Sequence, residues 1–176
     1  YHCANGEVHN LQNMAQALDN SCNLWFIQAA QTLQPTVFYD YIQAFGFTQP
    51  TGVDLPSETR WTSVYNAQQM AEVDTNLYTA AFGQNEAITP MQMATAIAAI
   101  ANGGYLVTPY IVDSITDDAG NIISQTDTSV RRQVISEEVS QEILSMMENN
   151  VKPNGTLSIR HSCKNAYVAG YRIGGK

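Results

Sequence analysis

The 176-residue chain is 44% hydrophobic and 14% charged, with 16 acidic residues against 8 basic for a formal net charge of −8. The length and apolar content suit one domain, or a large part of one, around a single core, and the low charge argues against a disordered chain. The acidic balance repels phosphate backbones and Arg131-Arg132 is the only basic pair, so nucleic acid is not an expected partner; no apolar run approaches the ~20 residues of a membrane span.

The chain opens on Tyr1-His2-Cys3, neither a charged signal-peptide start nor an initiator methionine, and closes on Ile173-Gly174-Gly175-Lys176, so both ends read as cut. Asn10 is placed to cap a helix over Leu11–Leu18, whose apolar residues Leu11, Met14, Ala15 and Leu18 fall at helical spacing. Asp19-Asn20-Ser21 breaks it, because these side chains compete for backbone hydrogen bonds. A second, aromatic helix follows over Leu24–Leu33. Pro35 suits the first turn of a third, Thr36–Phe45, which Gly46 ends. Gly46–Arg60, punctuated by Pro50, Gly52 and Pro56, reads as loop, and Thr62–Glu72 as short helix or irregular chain. Thr89-Pro90 starts a strongly patterned helix, Met91–Asn102, stopped by Gly103-Gly104. Leu106–Thr116 is β-rich. Asp117–Asn121 reads as a hairpin turn into Ile122-Ile123, and Arg131–Ile135 as a further short strand. Ser136 caps a helix to about Asn149, with Glu137 and Glu138 in its first turn. Pro153-Asn154-Gly155 reads as a turn, and the weak alternation of Ala166–Lys176 as the approach to a strand.

Ser21-Cys22-Asn23 is the most informative short stretch. On a tight turn, residues i and i+2 can face one cleft, where a hydroxyl relays protons and an amide donates to a substrate carbonyl. The competing reading is an N-cap that merely satisfies free amides. At the far end, Lys176 follows two glycines, which permit close approach of backbone to ligand, and its ammonium can meet a carboxylate. Cys3, Cys22 and Cys163 are too few for a disulfide framework. With His2, His9 and His161 scattered, no zinc-ligand spacing stands out, so neither metal nor cofactor is expected.

Taken together, these segments resemble the transpeptidase domain of penicillin-binding proteins. Asn20-Ser21-Cys22-Asn23 before an aromatic helix resembles that family's SxN motif. Phe38–Ile42, Phe45-Gly46-Phe47 and Thr51–Pro56 are similar to the segment that follows it. The stretch from Phe82-Gly83-Gln84 to Val112 is similar to its scaffold segment. Val168–Lys176 resembles the approach to its KTG motif, cut after the lysine. The likeness runs through almost the whole chain and is strongest to the class B, monofunctional branch. It implies a serine acyltransferase that crosslinks cell-wall stem peptides ending in D-Ala-D-Ala and binds β-lactams, outside the cytoplasmic membrane, in a membrane-anchored parent. It carries roles to Ser21 (proton transfer), Asn23 (holding the substrate amide) and Lys176 (electrostatics).

The residues three before Lys152, Lys164 and Lys176 are Asn149, His161 and Ile173, so the chain holds no SxxK nucleophile motif. Thr156–Asn165 also departs from the family's short approach to KTG. The expectation is therefore a partial transpeptidase domain over 1–176, truncated at both ends and inactive alone. Its fold class is α+β and helix-dominated: the helical lobe of the penicillin-binding/serine β-lactamase-like fold plus a β hairpin, with apolar faces open to self-association. A β-lactam sensor without turnover and a non-catalytic interaction scaffold are the alternatives. Cys22 fills the variable position of SxN, and Asn5-Gly6 offers a reversal that can bring Cys3 to it. In the implied extracytoplasmic compartment, Cys3–Cys22 is a candidate redox disulfide; the other reading is that Cys22 is a small buried side chain and Cys3 an unrelated thiol.

Overall fold

The computed structural model describes residues 1–3, 6–59, 62–152 and 163–176. It is helix-rich: α1 (Met14–Asp19), α2 (Asn23–Leu33), α3 (Pro35–Ala44), α4 (Ala67–Glu72), α5 (Asp74–Ala81), α6 (Pro90–Ala101) and α7 (Glu137–Val151). Four short strands, β1 (Tyr105–Val107), β2 (Ser114–Thr116), β3 (Ile122–Gln125) and β4 (Val130–Gln133), lie between α6 and α7. They form two antiparallel pairs, β1 with β4 and β2 with β3. This is the helix-dominated α+β architecture expected.

Local chemistry sets most boundaries. Asn66 and Thr89 each accept from the N–H three residues on, and Gln69 and Gln92 reach back to the cap N–H, closing capping boxes on α4 and α6. Pro90 occupies the first turn of α6 and Pro35 that of α3, where a missing N–H costs nothing. The hairpin turn forms as expected: Asp117 Oδ1 accepts from the Ala119 and Asn121 N–H groups at 3.0 and 2.8 Å.

Three expectations need correction. The first helix starts at Met14, not Leu11. Asn13 forms the capping box with Gln16, and Leu11 is fully exposed, so its apolar spacing serves no core. Leu106–Thr116 splits between two sheets: β1 pairs Tyr105 with Gln133 and Leu106 with Arg132, whereas β2 pairs Ser114 with Gln125. Among the described residues, Ala166–Lys176 forms no strand; after a 3-10 turn at Lys164–Ala166 it runs irregularly along α7. The turn expected at Pro153-Asn154-Gly155 lies outside the described residues.

Two buried clusters fix the helical lobe. Ala30, Met70, Leu77 and Ala80 join α2, α4 and α5, with Phe38 and Ile42 of α3 packed alongside. Cys3, Ala17 and Cys22 join the first residues to the α1–α2 break, against Trp25 and Phe26. Polar ties brace the lobe and join it to β4. Buried Gln92 donates to the Gln49 carbonyl at 2.8 Å, and Arg132 donates to the Ala44 and Gln43 carbonyls at 2.8 and 3.0 Å, satisfying the last carbonyls of α3. Glu58 accepts from the Thr51 and Gly52 N–H groups at 2.7 and 2.9 Å and braces the loop between α3 and α4.

Candidate functional site

The α1–α2 break places Ser21 and Asn23 side by side. Ser21 takes a left-handed φ of 49°, and the Cys22 N–H donates back to the Ala17 carbonyl at 2.9 Å, turning the chain sharply into α2. The N-cap of α2 is Cys22, which makes no side-chain capping bond. Neither Ser21 nor Asn23 therefore does the capping that was the alternative reading of this stretch. The Ser21 hydroxyl instead accepts a hydrogen bond from the Lys176 ammonium. The Asn23 amide donates to the His2 carbonyl at 3.4 Å, a long contact that a better acceptor can displace.

The three side chains rim one open cleft of about 310 Å³, with apolar walls from Leu18, Phe26, Ala81 and Phe82. An adjoining hollow of about 370 Å³ shares Asn23 and Phe82 and extends the surface past Tyr1, His2, Thr79 and Gln84. Larger hollows of about 620 and 600 Å³ lie elsewhere, beside Glu137 and Glu138 and beside Pro50 and Glu58, and among the described residues neither is lined by a lysine. Helix α5, which supplies Ala81, is not among the helices expected from the sequence. Its N-cap Val73 gives no side-chain capping signal, and Thr79 interrupts its short buried face.

Lys176 reaches Ser21 because α7 carries the last residues. The Gly175 N–H donates to the Met147 carbonyl at 3.1 Å, and the buried Asn150 amide donates to the Gly175 carbonyl at 2.9 Å. Arg172 donates twice to Glu148 Oε2, at 2.7 and 3.0 Å. A Cβ on Gly174 would stand 3.1 Å from Met147 Cβ, and one on Gly175 3.3 Å from Val151 Cγ2. The two glycines thus permit close approach of the terminal backbone to α7. Lys176 keeps an exposed residue surface, yet burial near its charged end pushes the ammonium below its ordinary value, against the opposite pull of Cys163 and Asp19. An amine so placed gives up a proton more readily than a solvated lysine and contacts a hydroxyl that can pass it on.

Directly behind the turn, Cys3 and Cys22 are both buried, free thiols with sulfurs 3.6 Å apart. Gly6 has a φ of 69° and its N–H donates to the Cys3 carbonyl at 3.1 Å, while Asn5 of the expected reversal lies outside the described residues. Burial pushes the Cys22 thiol up from its ordinary value, and neighbouring Cys3 adds to that. His9 joins the pair, with one ligand atom from each of Cys3, His9 and Cys22 lying within 4.8 Å of the others. The spacing of these residues along the chain gives no hint of this cluster, which the fold alone assembles.

The family model of the penicillin-binding protein transpeptidase domain matches residues 3–176. Among curated proteins, the chain is 36% identical over 172 residues to stage V sporulation protein D of Bacillus subtilis, covering 96% of this chain and 25% of that protein. It is 31% identical over 177 residues to a peptidoglycan D,D-transpeptidase FtsI homologue of Mesostigma viride, covering 93% and 28%. The chain thus spans about a quarter of the length of the curated relatives it matches. Among solved structures, a peptidoglycan synthetase from Bifidobacterium adolescentis superposes with a TM-score of 0.81 at 29% identity, over 98% of this chain and 30% of that one. Penicillin-binding protein 3 of Mycobacterium tuberculosis, in complex with aztreonam, superposes with a TM-score of 0.73 at 25% identity, over 84% and 34%.

Proposed function

The chain belongs to the family of penicillin-binding protein transpeptidase domains, and we propose that the whole protein is a class B peptidoglycan D,D-transpeptidase acting at the extracytoplasmic face of a bacterial membrane. Its substrates are stem peptides ending in D-Ala-D-Ala, which acylate the serine of an SxxK motif, and β-lactams acylate that same SxxK serine. The observation that carries this reading is the Lys176–Ser21 contact beside Asn23 on one cleft. Those three side chains, in that order along the chain, match the SxN serine, the SxN asparagine and the KTG lysine.

The nucleophile belongs to an SxxK motif that is not among these 176 residues. Ser21, held by Lys176, moves the proton between that nucleophile or the leaving amine and the lysine. Asn23 releases the His2 carbonyl and donates to the substrate carbonyl. In the intact protein, labelled by a fluorescent penicillin, Ser21→Ala should slow acylation by about 10²–10⁴-fold, and Asn23→Ala should weaken β-lactam capture. Residues 1–176 alone should take no covalent label. Wild-type labelling rates in both variants, or stoichiometric labelling of the chain alone, would overturn the assignment.

The reading includes a redox latch on the SxN turn. Cys3 and Cys22 lose two protons and two electrons to the disulfide of an extracytoplasmic thiol–disulfide oxidoreductase, which leaves as its dithiol, and an S–S bond forms between them. Sulfurs 3.6 Å apart need to close by only about 1.6 Å to reach bond length. That closure pulls the residue between Ser21 and Asn23, and a displacement of about 1 Å at a catalytic group can cost about 10²-fold in rate. Acylation of the oxidised protein should be slow and recover on reduction, while a Cys3→Ser variant should be indifferent to reductant. Equal rates in all three samples count against the latch.

A further inference from the structure

We propose that Cys3, His9 and Cys22 form a binding site for a thiophilic divalent cation, zinc in particular, with both sulfurs and one imidazole nitrogen as ligands and water in the fourth position. The three ligand atoms lie within 4.8 Å of one another, and the two sulfurs are 3.6 Å apart. Two zinc–sulfur bonds of about 2.3 Å at a tetrahedral angle place their sulfurs about 3.8 Å apart, so the pair is already spaced as ligands. Cys3 and Cys22 are 2% and 3% exposed, so both sulfurs face the interior rather than bulk solvent.

His9 distinguishes this site from a simple thiol pair. Its Nδ1 is buried and has no hydrogen-bond partner among the described residues, while its Nε2 lies 3.7 Å from Glu7 Oε2. A buried imidazole nitrogen without a partner is costly, and a metal bond removes that cost. Glu7 stands just beyond hydrogen-bond distance of the opposite nitrogen, and a closure of about 0.5 Å gives the carboxylate support that orients metal-binding histidines and raises their basicity. Nδ1 is therefore the ligand and Glu7 its support. The surrounding frame is fixed: Trp25 donates its indole N–H to the Gln12 carbonyl at 3.2 Å, tying the strap that carries His9 to α2.

Binding breaks both S–H bonds, sends two protons to solvent and forms two metal–sulfur bonds and one metal–nitrogen bond, with no change of oxidation state. The metal and the disulfide are thus alternative fates of the same sulfurs. A bound cation holds the pair reduced and pins the turn between Ser21 and Asn23 to the first residues of the chain.

The test is a Co²⁺ titration of the intact, reduced protein under anaerobic conditions, in a Cys163→Ala background that removes the third thiol. One equivalent should bind with thiolate-to-cobalt charge-transfer absorption and tetrahedral d–d bands, release two protons, and be displaced by Zn²⁺. Glu7→Gln should weaken binding by about 10–100-fold, and His9→Ala by more. Cys3→Ser should abolish the charge-transfer band, and the first two variants keep the test informative should Cys3→Ser fail to fold. Absence of the charge-transfer band, or binding that His9→Ala leaves unchanged, overturns the site. So does oxidation of the Cys3–Cys22 pair at the same rate with and without saturating Zn²⁺.

Discussion

Ser21 holds a backbone φ of 49°, in the left-handed region that costs a residue with a Cβ about 1–2 kcal/mol. That strain aims the hydroxyl at Lys176 rather than at the free amides of α2. Stability and chemistry can therefore be separated at one position. Ser21→Gly removes both the hydroxyl and the strain, whereas Ser21→Ala removes the hydroxyl alone. Chemical denaturation should show Ser21→Gly more stable than Ser21→Ala by about 1 kcal/mol, with β-lactam acylation slowed equally in both. If Ser21→Gly were the less stable of the two, the turn would not be strained. If it acylated normally, the hydroxyl would have no part in the reaction.

Among the elements, α6 is the one most completely written into the chain. Thr89, Pro90 and Gln92 set its start, and Gly103-Gly104 its end. What those letters do not say is why two glycines stand there. The structure answers for the second: a Cβ on Gly104 would sit 1.9 Å from the Ile135 carbonyl oxygen, because the chain entering α7 crosses directly over it, and the Val134 N–H donates to the Gly104 carbonyl at 2.7 Å. At Gly103 the nearest atom is Glu137 Cγ at 3.3 Å, the middle of a flexible side chain. Both positions have left-handed φ, so both alanine variants carry strain, but only Gly104→Ala must also move backbone. Thermal unfolding should place Gly104→Ala lower in stability by about 2–4 kcal/mol and Gly103→Ala by about 1. Comparable losses would mean the crossing is not tight. Elements that were harder to read lack such local marks. Helix α5 has no side-chain cap, and the apolar run around β1 and β2 cannot declare that its two ends belong to different sheets, since only the positions of β3 and β4 decide that.

Across the whole molecule, the candidate site is assembled from opposite ends of the chain. Ser21, Asn23 and Lys176 are recognisable one by one as motif residues, but nothing local in the sequence tells that Lys176 reaches across 155 positions to Ser21, or that Cys3, His9 and Cys22 converge behind it. The structural cause is α7, whose last two turns hold the terminal residues through Met147, Glu148 and Asn150. Asn150→Ala removes the donor to the Gly175 carbonyl and should cost about 1–3 kcal/mol. Acylation of the intact protein should slow as well, because Lys176 loses its anchor; a stability loss with unchanged acylation would show that the strap does not position the lysine. Glu148 gives the same strap a pH dependence. Its hydrogen bonds with Arg172 and then Lys152 hold its carboxyl below the ordinary carboxylate range. A carboxylate depressed in the folded state stabilises fully above its unfolded pKa of about 4.3, and that contribution is lost as pH falls through the lower, folded value. Attachment of the Arg172–Lys176 segment should therefore weaken on acidification below about pH 4. Denaturation midpoints of wild type and Glu148→Gln should differ at neutral pH and converge in acid. Parallel curves throughout that range would assign the strap's hold to Asn150 and the backbone bond from Gly175 instead.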